Sequence, residues 1–262
     1  MTHAFLRRTA SLLLFGSLVT VLQTGPAALI GCWGLCAGLL ALYKPMRWFV
    51  LTATCFGAGF FVYLHVNSRW IAELQPEQLR ILASRGSLLL VILPLVLLTL
   101  ARKLPFTRYG GRPQWNEPVG VPWIWAGVAR TNVSVFLGIA MTVSGLAFLP
   151  LMLRSGWTSI QESIGFAVLF AMTNALLEEF IWRGVLLSRF AEQFGDRWAV
   201  VLTSLGFGLQ HYSLGFSWDL CVALAGGGFY FGAMTVQSKS IVPAIVWHMS
   251  INIWMVLGGI IV

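Results

Sequence analysis

Apolar stretches near membrane-crossing length alternate with short polar breaks along the whole chain. They fall at residues 9–23, 26–43, 48–66, 87–101, 132–153, 163–182, 198–214, 218–236 and 241–262. A helix needs about 20 apolar residues to span a bilayer. The pattern therefore predicts an all-α fold, a polytopic membrane helix bundle with about eight or nine transmembrane helices, the first and fourth stretches being short. The longest polar links are 67–86 and 102–125. The second is rich in Pro, Gly and Trp and reads as an irregular cytoplasmic segment with rings at headgroup level. The pattern divides into residues 1–131, N-terminal helices plus this loop, and 132–262, a second helix bundle. The opening "MTHAFLRRTASLLLFGSLVTVLQ" has the basic-then-apolar shape of a signal peptide. Apolar segments continue to the last residue, so it is expected to be kept as a first membrane helix.

Composition sharpens this picture. Of 262 residues 58% are hydrophobic and 10% charged, with mean hydropathy +0.80. Soluble domains carry about 25% charged residues, so a single soluble core is a poor alternative. The net charge of +8 needs no nucleic acid, because Lys and Arg gather in short loops and no basic stretch is interleaved with aromatics. With the N-terminus inside and nine spans, inner segments hold thirteen Lys and Arg and outer ones four (Arg69, Arg80, Arg85, Arg154). That bias fits the positive-inside rule. Cys32, Cys36, Cys55 and Cys221 all lie in apolar runs and read as small buried hydrophobes rather than a disulfide framework.

Ionisable groups inside membrane helices cost about 2.5–3.5 kcal/mol each on insertion scales. The C-terminal half nevertheless has three polar clusters: "EEFIWR" (178–183), "FGLQH" (207–211) and "HMSIN" (248–252). Glu179 and Arg183 stand at i and i+4 in the favourable order for an ion pair, leaving Glu178 to point elsewhere. His248 and Asn252 share a helix face by the same spacing, as do Phe207 and His211. If the helix bearing Glu178 runs on to a turn at Gly195, Glu178 lies about 25 Å from that turn and His211, on the return helix, about 24 Å. His248 and Asn252 lie about 11–18 Å up the last helix from Lys239. The three elements are thus expected to converge at one depth, opening toward the cytosolic face.

At these positions the sequence resembles the CPBP family, the type II CAAX prenyl endopeptidases and their bacteriocin-processing or Abi relatives. That family is marked by E-E-x-x-x-R, F-x-x-x-H and H-x-x-x-N/D. Here the motifs stand in order as Glu178-Glu179…Arg183, Phe207…His211 and His248…Asn252, and the resemblance covers about residues 160–258. It implies an intramembrane endopeptidase cleaving near the C-terminus of a protein or peptide. By that likeness Glu178 with His211 activates water, and His248 with Asn252 steadies the oxyanion. Glu179 and Arg183 hold the geometry.

Hydrolysis needs a nucleophile, a base and an oxyanion donor. No Ser or Cys is placed to attack, since Ser250 is on the wrong face for His248 and Asn252, so water is the better nucleophile. One Glu and two His (Glu178, His211, His248) also match a catalytic zinc set, although H-E-x-x-H is absent. The preferred reading uses no cofactor, with zinc as the alternative. The rival functions are a proton-coupled transporter, where such residues form a relay, and a non-catalytic membrane scaffold. The expected partners are a peptide or protein substrate, prenylated or not, and the lipid of a bacterial plasma membrane. Nothing in the sequence sets the oligomeric state, though "GGGFYFG" (226–232) permits close helix contact.

Overall fold

The computed structural model describes residues 2–261. In chain order it contains α1 (Thr2–Thr24), α2 (Ala27–Leu42), α3 (Arg47–Val66), α4 (Glu77–Gly86), α5 (Leu89–Ala101), β1 (Pro118–Trp123), β2 (Ala126–Asn132), α6 (Val133–Ser155), α7 (Trp157–Glu179), α8 (Leu187–Phe194), α9 (Asp196–Gln210), α10 (Trp218–Ser238) and α11 (Val242–Leu257). Among the described residues six helical stretches are long and apolar enough to cross a membrane, and α2 and α11 are shorter apolar helices. The polytopic all-α bundle is therefore present. Large side chains such as Leu35, Leu39, Leu146 and Leu153 stand exposed on these helices, as expected of surfaces that face lipid rather than water.

Local chemistry sets the boundaries. Asn132 caps α6, its side-chain oxygen accepting the Val135 N–H at 3.0 Å. Gly195 adopts φ +80° and ends α8, the turn at which the sequence placed it. Pro94 and Pro150 sit inside α5 and α6, which membrane helices tolerate. The helix from Trp157 to Phe194 is continuous, but it widens into a π-helical turn over Phe180–Leu186, directly after the two glutamates.

Two polar links differ from the expectation. Six residues of the segment expected to be irregular form β1, which pairs antiparallel with β2 from Pro118↔Asn132 and carries a register irregularity at Val121/Pro122. Glycine makes the tight pairing possible, since a Cβ on Gly127 would lie 1.9 Å from the Val121 carbonyl oxygen. The other link contains α4, whose Ile81 and Leu82 pack on a cluster of Ala167, Phe170, Val256 and Leu257.

The residues form two compact units that interleave along the sequence. One comprises Met1–His65, Leu89–Arg108 and Ile181–Ala233; the other comprises Val66–Leu88, Tyr109–Phe180 and Met234–Val262. In the second, the base of α11 is held by the chain before the hairpin. Ile241 N–H donates to Tyr109 O at 3.0 Å, and Gln114 N–H to Ser238 O at 2.9 Å. In the first, α3 and α5 meet closely, with the Gly59 Cβ position 2.7 Å from the Leu90 carbonyl oxygen.

Candidate functional site

The second unit contains the two glutamates of the first motif and the whole of the third. Glu178 and Glu179 end α7 and are almost fully buried, at 1% and 0% exposure. α11 packs along α7 and presents His248 and, one turn later, Asn252, both buried. His248 Nδ1 donates to Glu179 Oε1 at 2.8 Å. This bond fixes the ring and leaves its Nε2 edge toward Glu178, 3.7 Å from Oε2. The Asn252 amide nitrogen is buried and makes no hydrogen bond among the described residues. An unengaged amide donor beside an oriented imidazole is the arrangement that a developing oxyanion needs.

Two further residues border this cluster. Arg85 on α4 places Nη1 3.9 Å from Glu178 Oε1. Ile81 and Leu82 pack α4 against the cluster of Ala167, Phe170, Val256 and Leu257, which carries Arg85 to Glu178. Asn174 lies one turn before Glu178 on α7, buried, its side-chain oxygen making no hydrogen bond among the described residues. A lone amide four residues before a membrane glutamate was a signal available in the sequence; Arg85 offered none, because only tertiary packing connects it to Glu178.

The first unit contains Arg183, Phe207 and His211. Arg183 is 1% exposed. Its Nη2 donates to Gly228 O at 3.1 Å, and its guanidinium carbon lies 4.4 Å from the Phe207 ring centroid and 5.1 Å from that of Phe231. The cation is thus held between two aromatic faces. The glycine run of α10 allows this: a Cβ on Gly228 would stand 3.1 Å from the Phe207 ring and 3.2 Å from Ser204 Cα. Phe207 also serves the histidine one turn on, since His211 Nδ1 donates to Phe207 O at 2.6 Å. A carbonyl oxygen can only accept, so that bond places a proton on Nδ1. His211 opens a short 3-10 turn that ends at Gly215, φ +90°.

Glu179 therefore has a partner, His248, that spacing along one helix did not reveal. Directly after Glu179 the helix widens into a π-turn, Phe180–Leu186. π-turns of this kind recur at functional positions. Among the described residues no group of three or more His, Cys, Asp or Glu side chains is arranged to hold a metal ion. The Glu178, His211, His248 zinc set stays the alternative to the metal-free route, and no step is routed through a metal.

Residues 160–254 match the family model described as Type II CAAX prenyl endopeptidase Rce1-like. No curated protein and no solved structure gives a match. The matched stretch runs from α7 into α11 and includes all three motifs. It supports the CPBP/CAAX protease resemblance and, with it, intramembrane protease activity in general. With the apolar helices, it also supports a multi-pass membrane protein.

Proposed function

We propose that the chain is an intramembrane endopeptidase that hydrolyses a peptide bond near the C-terminus of a membrane-associated protein or peptide. One observation supports the reading most: the Glu179–His248 hydrogen bond of 2.8 Å, with Glu178 facing the other imidazole edge at 3.7 Å. Such a carboxylate–imidazole–carboxylate series orients a donor and keeps a base beside it. His211 enters the reading through its motif, and its Nε2 lone pair suits it to hold a water.

In the proposed reaction the water oxygen attacks the scissile carbonyl carbon while Glu178 takes one of its protons and His211 accepts a hydrogen bond from the other. The electron pair of the C=O bond moves to oxygen, where His248 and the Asn252 amide N–H stabilise the charge. Collapse breaks the C–N bond, and the proton on Glu178 passes to the departing amine. Glu179 keeps the His248 ring in place. The site opens toward the cytosolic face of a bacterial plasma membrane in this reading, which the excess of basic residues on the inner segments supports.

The test uses the full chain in nanodiscs with fluorogenic peptides ending in a C-terminal CAAX sequence, prenylated and unprenylated. Wild type is expected to release the C-terminal fragment and Glu178→Gln to lose that activity. Equal cleavage by both would exclude Glu178 as base. Metal analysis of the same active sample separates the chemistries. Stoichiometric zinc, with activity lost on chelation and restored by zinc, would overturn the metal-free route.

A further inference from the structure

We propose that Arg85, outside the stretch matched by the family model, is a positioning residue that supplies the counter-charge for Glu178. The inference rests on the endopeptidase reading above and adds a residue to its machinery. α4 is anchored by Ile81 and Leu82 in the cluster of Ala167, Phe170, Val256 and Leu257, one turn before Arg85. The Arg85 side chain is 12% exposed and that of Glu178 is 2% exposed, with Nη1 3.9 Å from Oε1.

The Nε of Arg85 is buried and makes no hydrogen bond among the described residues, and its Nη1 faces the Glu178 carboxylate, so charge is the interaction that accounts for its place here. A carboxylate withdrawn from water is strongly disfavoured unless a cation is near, and a guanidinium stays charged under all working conditions. The separation matters as well. At 3.9 Å the pair is longer than a hydrogen bond, so Arg85 supports the negative charge without occupying the oxygen in a bidentate clamp. Glu178 Oε2 faces His248 Nε2 on its other side at 3.7 Å. One oxygen thus faces a permanent cation and the other the imidazole of the oxyanion site.

The test compares Arg85→Met, Arg85→Lys and Arg85→Ala in nanodiscs, each checked for folding by thermal melting. Arg85→Met is expected to lower kcat roughly tenfold to a hundredfold with KM little changed, while Arg85→Lys keeps most of the activity. Millimolar guanidinium is expected to restore part of the Arg85→Ala rate and none of the Glu178→Gln rate. Arg85→Met at wild-type kcat, a loss confined to KM, or a folded Arg85→Lys as inactive as Arg85→Ala would each overturn the inference. If Arg85→Met fails to fold, the Lys variant and the guanidinium rescue decide. An active Glu178→Gln would exclude Glu178 as the base and the counter-charge role of Arg85 with it, whereas an inactive Glu178→Gln beside an Arg85→Met at wild-type kcat would overturn the Arg85 inference alone.

Discussion

Replacing Glu179 by Gln removes one charge and almost no volume from the most buried position of the site. The bond it weakens is 2.8 Å long, and neither partner side chain is more than 6% exposed, so water neither screens it nor replaces it. A hydrogen bond to a charged group contributes about 1.5–3 kcal/mol. At about 1.36 kcal/mol per factor of ten, the loss corresponds to roughly a 10- to 150-fold fall in kcat if the bond serves mainly to hold His248 for the transition state. KM is expected to move little, because Glu179 touches the imidazole and not the substrate. Initial rates of fluorogenic peptide cleavage in nanodiscs measure both constants, and a melting curve confirms the fold. A folded Glu179→Gln with kcat within about twofold of wild type would refute the assignment of Glu179 as the anchor of His248.

Other changes separate packing from chemistry. Asn252→Ala is expected to cut kcat by about 10²–10³ at near-normal stability, because the amide nitrogen it deletes makes no hydrogen bond among the described residues; a melting point that falls with the activity would point to a structural role. Arg183→Met gives up the Gly228 carbonyl and both flanking rings. It should lower stability by about 3 kcal/mol or more, read by thermal unfolding in detergent. A Cβ on Gly208 would sit 2.4 Å from the Cys221 carbonyl oxygen and 2.6 Å from Ala225, so Gly208→Ala must part α9 from α10. A loss of about 1–3 kcal/mol is expected, and an unchanged melting curve would contradict the packing.

Much of this was legible in the sequence because membrane helices obey simple constraints. The unbroken helix past Glu178 to a turn at Gly195 followed from apolar periodicity and one glycine, and the order of the three motifs followed from their spacing. What escaped prediction depends on contacts between elements. The Glu179–His248 bond joins α7 to α11, and i, i+4 spacing reports only partners on the same helix. Arg85 looks like any loop arginine until Ile81 and Leu82 are seen to pull α4 into the core. The β1–β2 hairpin was hidden by Pro, Gly and Trp, residues that usually signal irregular chain. The π-turn at Phe180–Leu186 has no compositional mark.

The most direct measurement is of the C-termini that the chain creates in its own membrane. Membrane fractions from cells that express the wild-type chain or Glu178→Gln at equal levels would be compared by C-terminal mass spectrometry. Shortened C-termini present only with the wild-type chain are the expected result. Identical sets of C-termini from both would show that the buried carboxylate does not cut peptide bonds.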